Sequence, residues 1–135
     1  MKTDNLGSFA ILLVRVTVGV IFFAHGLQKL GAFGGSGIEG FSGMLKELSF
    51  ASPILWAWIV VAVETLGGLF LILGILPRIN AALIAVVMAV AIAKIHWAKG
   101  FFAMQGGFEY PLLILATCLS LAITGGGKFS LYDKF

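Results

Sequence analysis

The chain is poor in charge: Asp, Glu, Lys and Arg make up 11% of its 135 residues, against about 25% in soluble domains. That shortage, with so much apolar residue beside it, excludes a disordered chain. There is a single cysteine, Cys118. An intramolecular disulfide, a CxxC redox pair and a cysteine-based zinc site are therefore excluded, and redox chemistry would need a bound cofactor or a partner. No GxxxxGK[ST] or strand-linked GxGxxG occurs, and neither does HxxxH or HExxH. The 9 Lys and Arg give a net charge of +3. They are scattered among apolar runs and form no nucleic-acid patch.

What is present is apolar: 60% hydrophobic residues and a mean hydropathy of +1.07. A soluble domain this small has too little interior to hide that much apolar surface. The implied solvent is a lipid bilayer, and an ordinary water-soluble enzyme is excluded. Apolar segments cover residues 8–30, 53–76, 80–97 and 110–124. A spanning helix needs roughly 17–25 residues, so the first two fit and the last two would cross with little tilt. The run from Phe9 to Leu27 outlasts a signal h-region, contains Arg15 and ends without a small-x-small cleavage site. It reads as a retained membrane helix.

Helix punctuation supports these segments. Ser52-Pro53 predicts an N-cap with proline at the first helical position, and Asn80 predicts the next N-cap after a hairpin at Pro77. Pro111 falls in the first turn of the last helix, and Gly125-Gly126-Gly127 stops it. Within the loop 31–51, Ser36-x-x-Glu39 predicts a capping box, and Ile38, Phe41, Leu45 and Leu48 recur at helical spacing. The predicted fold is all-α: one domain over 1–135, a four-helix transmembrane bundle with a short amphipathic interfacial helix at 37–50. The tail, with Phe129, Leu131, Tyr132 and Phe135 among polar residues, suits a headgroup-level anchor. Four spans put both termini on one side. Lys2, Arg78, Lys128 and Lys134 on that side balance Lys29, Lys46, Lys94 and Lys99 on the other, so the positive-inside rule ties. The intrahelical positions of Lys29 and Lys94 favour cytoplasmic termini.

Ionisable residues inside spans are costly and mark either a buried pair or function. Arg15 lies about 10 Å past Ser8, and Glu64 about 17 Å past Pro53, at 1.5 Å per residue. A long arginine side chain would bridge that offset, which predicts an Arg15–Glu64 pair. It serves either as a clasp between two helices or as the polar floor of a site. At about 100° per residue, Arg15, Phe22, His25 and Lys29 share one inward arc. Ala81, Ala85, Ala89 and Ala93 form a small-residue stripe suited to close helix approach or to a homo-oligomer. His96 falls on its side and is expected inside, while Lys94 falls opposite and is expected to snorkel. Gly67-Gly68, one turn past Glu64, reads first as a close-packing point. Gly100-Phe101-Phe102 with Gly106-Gly107 is expected to form a mobile apolar loop.

His25, His96, Glu109 and Tyr110 gather toward the long-loop face. Three readings stand there: a metal site without any local ligand motif, hydrogen-bonded packing, or a pocket for a quinone-like head. In the last, histidine donates to a quinone oxygen and glutamate takes a proton.

The chain resembles the DoxX family of small multi-pass membrane proteins over nearly its whole length. The resemblance is carried by Leu13-Val14-Arg15, Phe22-Phe23-Ala24-His25-Gly26-Leu27-Gln28-Lys29-Leu30, Gly34-Gly35, Val63-Glu64, Gly67-Gly68, Leu73-Gly74, Arg78, Gly107-x-Glu109-Tyr110 and the closing Gly125-Gly126-Gly127 with Ser130-Leu131-x-Asp133. Tyr132 interrupts the family's closing Ser-Leu-Asp pattern. The resemblance implies a four-helix bundle in a prokaryotic cell membrane, and a small subunit linked to a quinone-dependent oxidoreductase or to quinone and oxidative stress. It maps recurrent polar positions onto Arg15, His25, Lys29, Glu64 and Glu109, with no defined catalytic set. Pocket candidates are thus Arg15, His25, Lys29, Glu64, His96, Glu109 and Tyr110, with no metal, a quinone as ligand and a soluble or membrane oxidoreductase as partner. A ligand-free scaffold and an oligomeric proton or solute path are the rival functions.

Overall fold

The computed structural model describes residues 4–134, so Lys2 and Phe135 lie outside the described residues. Regular structure within them is helical. The α-helices are α1 (Asn5–Lys29), α2 (Gly37–Glu47), α3 (Pro53–Leu73), α4 (Pro77–Ala91) and α5 (Glu109–Thr124). The first helix starts earlier than the hydropathy predicts because Asp4 caps it, its carboxylate accepting from the Gly7 N–H at 2.7 Å.

Several predicted caps are corrected. Ser52 takes a left-handed backbone (φ 52°), and its side chain makes no cap bond. Ser36 stands before α2 in helical geometry, so the capping-box bond from its hydroxyl is not made. The fourth helix begins at Pro77, ahead of Asn80. The Asn80 amide instead donates back to the carbonyls of Ile75 and Leu76, at 2.9 and 3.1 Å, and locks the hairpin.

Beyond Ala91 the helix continues through a π-turn, Ile92–His96, and a 3-10 turn, Trp97–Lys99. By length and composition, α1, α3 and Pro77–Lys99 can each cross a membrane, while α5, at 16 residues, is a shorter apolar helix. Only 28%, 33% and 22% of the most apolar stretches of those three are buried within the chain. Leu13, Val20, Leu66 and Val86 are among the residues left facing outward. An apolar surface that broad calls for lipid rather than water.

Lipid removes the hydrophobic drive for helices to associate, so packing contact must supply it. Glycines supply it between α1 and α3. A Cβ on Gly68 would sit 2.5 Å from the Phe23 nitrogen and 2.7 Å from the Gly19 carbonyl oxygen. Gly67 faces the other way, toward Asn80 and Ile84 of α4. Against α5, α4 packs Ala81 and Ala85 into a core with Ile114, Cys118 and Leu121. The alanine stripe is therefore not continuous outside: Ala81 and Ala85 are buried in the chain's own core, and Ala89 and Ala93 stay exposed. The second helix lays Phe41 and Leu45 on Ala57 and Val61 of α3.

The segment after α5 returns to the α3–α4 hairpin. The Leu76 N–H donates to the Tyr132 carbonyl at 2.8 Å, and the Tyr132 N–H donates to Gly74 at 3.0 Å. Arg78 donates to the carbonyls of Ala122, Ile123 and Thr124 and lies 3.8 Å from Asp133. A guanidinium there satisfies the orphan acceptors and opposes the dipole at the end of α5. Lys128 Nζ donates to Asn5 Oδ1 at 2.9 Å, so the start of α1 and the end of α5 share one end of the bundle.

Candidate functional site

At the opposite end the helices part around a cleft of about 670 Å³. Its back wall is α1, through Ile21, Phe22, His25 and Lys29. The third helix contributes Trp56, Val60, Val63 and Glu64, the fourth contributes Val86, Val87 and Val90, and Tyr110 and Ile114 come from α5. Phe41, Met44 and Leu45 of α2, with Leu48 just past its end, close it off. The walls are thus aliphatic and aromatic, with a few ionisable groups at one end.

The deepest of those groups is Glu64, 4% exposed. Its partner is Lys29, whose Nζ donates to Glu64 Oε2 at 2.7 Å. The predicted Arg15–Glu64 pair is not formed. Arg15, 1% exposed, instead donates from Nη1 to the Leu71 carbonyl at 3.0 Å and from Nη2 to the Phe129 carbonyl at 3.2 Å. The reason is local. The last carbonyls of a helix lack intrahelical donors, and the C-terminal turn of α3 lies beside Arg15, whereas Glu64 is about 10 Å further along that helix. The inward arc on α1 therefore splits. Arg15 serves the terminal end of the bundle, and Phe22, His25 and Lys29 serve the cleft.

Arg15→Met is expected to remove the guanidinium donor from the buried Leu71 carbonyl and the part-buried Phe129 carbonyl and to cost about 1–3 kcal/mol. Thermal unfolding in detergent would show this as a lowered midpoint. An unchanged midpoint would mean that the guanidinium holds nothing in place.

His96 and Lys94 both line the cleft, which corrects the expectation that Lys94 turns away. The segment that carries both is the π-turn Ile92–His96, which departs from the α-helical period on which that expectation rests. Lys94 Nζ sits 5.8 Å from the centroid of the Phe50 ring. His96 Nδ1 lies 2.8 Å from the Gly106 carbonyl oxygen. A carbonyl only accepts, so Nδ1 carries the hydrogen and Nε2 is left as the proton-accepting atom of the neutral ring. Among the described residues the His25 ring has no hydrogen bond; it lies 6.4 Å from the Phe22 ring, centroid to centroid.

Glu109 is not brought into the cleft, although Tyr110 is. The Glu109 N–H donates to the Phe101 carbonyl at 2.8 Å at the first residue of α5, which ties the helix start to the loop. The loop expected to be mobile is braced: Trp97 stacks on Phe108 at 5.1 Å, and the Phe108 N–H donates to Gly100 at 2.9 Å. Among the described residues no three of His, Cys, Asp and Glu converge as a metal site would require. Lys94 and Phe41 are cleft residues that the helical wheel missed. The sequence carries no mark of the π-turn, although the Phe41 stripe pointed to a buried face.

A small helical membrane protein with an apolar cleft and a part-buried lysine–glutamate pair is the class that this fold and site define. The chain belongs to the DoxX family, whose profile matches residues 10–97. It is 34% identical over 135 residues to a Bacillus subtilis (strain 168) protein named "Putative oxidoreductase CatD", covering 99% of this chain and 90% of that one. Two uncharacterized Haemophilus influenzae proteins are also similar. One is 28% identical, with 96% of this chain and 86% of that protein covered. The other is 30% identical, with 94% and 91% covered. No solved structure matches the chain.

Proposed function

We propose that this chain is a four-span subunit of a redox system in a prokaryotic inner membrane. In this reading it binds a quinone or quinone-like aromatic in the cleft and docks an oxidoreductase that supplies the electrons. The cleft carries the proposal: about 670 Å³, lined by Phe22, Phe41, Trp56 and aliphatic residues, with Lys29–Glu64, His25, His96 and Tyr110 at one end. Volumes of about 300–1,000 Å³ with apolar walls and a few polar groups are typical of small-molecule sites. The name of the Bacillus subtilis relative supports the redox class. With α5 as the fourth span, the two described ends meet on one face, which we take as cytoplasmic.

A bound quinone supplies electron and proton acceptance that no side chain of this protein provides. The chain's own residues bind and orient it. His25 and the Tyr110 hydroxyl offer donors to ring oxygens, and His96 Nε2 offers an acceptor for a hydroxyl proton. Lys29 and Glu64 hold each other at the polar end, where a carbonyl could share the ammonium's remaining donors.

Titrating a tailless benzoquinone against purified protein in lipid nanodiscs tests this. Saturable binding is expected, weakened about tenfold by His25→Ala, the worth of one hydrogen bond at about 1.4 kcal/mol. Glu109→Gln, outside the cleft, should leave it unchanged. Absence of saturable binding to the unmodified protein overturns the proposal.

A further inference from the structure

The outward apolar surface does not end with the helices. After Lys99 the chain runs Gly100-Phe101-Phe102-Ala103-Met104 without a charge. Phe101 and Phe102 are exposed there, Met104 fully so, and Trp97 just before them is exposed as well. An apolar patch of that kind at a loop tip calls for a partner other than water.

Helix lengths indicate which partner. Arg78, in the first turn of α4, donates to the carbonyls of Ala122, Ile123 and Thr124 in the last turn of α5. The two helices are therefore level at the hairpin end. From there Pro77–Lys99 runs 23 residues, whereas α5 has 16. At 1.5 Å per residue α5 is about 24 Å long, about 6 Å short of a hydrocarbon core of about 30 Å. Its start lies below the level at which Lys99 emerges, and the loop 100–108 hangs beside the preceding turns instead of standing clear of them. Two contacts hold it there: His96 Nδ1 lies 2.8 Å from the Gly106 carbonyl oxygen, and Trp97 stacks on Phe108 at 5.1 Å. The backbone suits the same solvent. The N–H groups of residues 105–109 all donate to carbonyls of residues 100–103. Water would serve those amides without such bonds; lipid would not. Lys99 lays its stem along the loop, where a Cβ on Gly106 would lie 3.0 Å from Lys99 Cδ, a course that lets the ammonium reach headgroups.

We propose that the α4–α5 loop is a lipid anchor. Phe101, Phe102 and Met104 insert among the acyl chains just below the headgroups, Trp97 sits at headgroup level, and Lys99 reaches the phosphates. The inference rests on α5 as the fourth span in the reading above and adds a lipid-bound surface to it. A soluble protein seated on the loop is the competing occupant, and the short α5 and the internally paired amides favour lipid. Because Ala103, Gly106 and Gly107 line the cleft, the anchor also holds one edge of the cleft at a set depth.

The test reads depth. Phe102→Cys, Met104→Cys, Glu47→Cys and Leu119→Cys are made singly in a Cys118→Ala background of the full chain. Each protein is spin-labelled and reconstituted in nanodiscs of phosphatidylethanolamine and phosphatidylglycerol. All four side chains are exposed, so labelling leaves the core intact. Power saturation compares collisions with oxygen, which concentrates in lipid, and with a water-soluble nickel chelate. The oxygen-to-chelate ratio at 102 and 104 is expected to be several-fold above that at 47 and to approach that at 119. Ratios at 102 and 104 equal to that at 47, with 119 still in lipid, would overturn the anchor and leave a water-facing loop open to a protein partner, with the four-span reading intact. Free access of the chelate to 119 would overturn α5 as a span and the anchor with it.

Discussion

Gly68→Val is expected to abolish the native α1–α3 contact and to leave little monodisperse protein after extraction. A Cβ at residue 68 meets backbone: the Phe23 nitrogen at 2.5 Å and the Gly19 oxygen at 2.7 Å. Backbone atoms cannot swing away as the end of a side chain can, so the helices must separate. Overpacking a fitted contact costs about 1–3 kcal/mol, and a branched side chain driven into a backbone seam lies at the upper end. Separation also removes the close contact that lipid requires for helix association. Against a total stability of about 5–15 kcal/mol that is a large share. Gly19→Val should act alike, since a Cβ there would lie 2.7 Å from the Gly68 oxygen. Gly43 in α2, where a Cβ meets nothing within 4 Å, is the control; Gly43→Ala should stabilise by about 0.5–1 kcal/mol through helix propensity. Size-exclusion profiles and thermal melts would decide. A Gly68→Val protein that melts like the parent would show that the seam is looser than described.

The second large effect is an asymmetry at the ion pair. Lys29→Met should destabilise the fold by several kcal/mol, and Glu64→Gln by distinctly less. Removing one partner of a buried pair costs about 3–5 kcal/mol when the survivor is left buried and uncompensated. The two side chains differ in this respect: Glu64 is 6% exposed and Lys29 is 21% exposed. An orphaned Glu64 has no such outlet. An orphaned Lys29 can shift along its stem toward the opening, and its Nζ already lies 5.1 Å from the centroid of the Phe41 ring. Combining Lys29→Met with Glu64→Leu should recover part of the loss, because both desolvation costs disappear together. A double-mutant cycle on unfolding midpoints would measure the coupling. Strictly additive losses would show that the contact contributes nothing.

The two predictions are linked. The glycine seam sets how closely α1 approaches α3, and that spacing places Lys29 within 2.7 Å of Glu64. Widening the seam should therefore weaken the pair as well.

Much of the scaffold is legible in the sequence. Hydropathy marked the long helices, and Pro53 opens α3 as expected, where a missing N–H costs nothing; Pro77, read as part of the hairpin, opens α4 in place of Asn80. The mid-helix position of Glu64 announced a buried charge that needed a partner. The partner itself was not legible. Depth arithmetic compares side chains along the membrane normal, but Arg15 found backbone carbonyls at its own level. Carbonyls freed by a helix end have no sequence signature. Lys94 lines the cleft beside His96 although a fixed helical period sets them apart, and the π-turn at Ile92–His96 departs from that period; Glu109 is not among the cleft-lining residues.

Composition alone determined that this chain needs an apolar solvent, and residue spacing determined which stretches become helices. Both depend on local and averaged properties: transfer energy per residue and hydrogen bonding within a few positions. Only the tertiary structure decided that Lys29 rather than Arg15 meets Glu64, that the alanine stripe is half consumed inside, and that a cleft opens between α1, α3, α4 and α5. Those outcomes turn on crossing geometry and on competition among acceptors from separate helices. Differences of an ångström select the winner there, and no one-dimensional pattern encodes them.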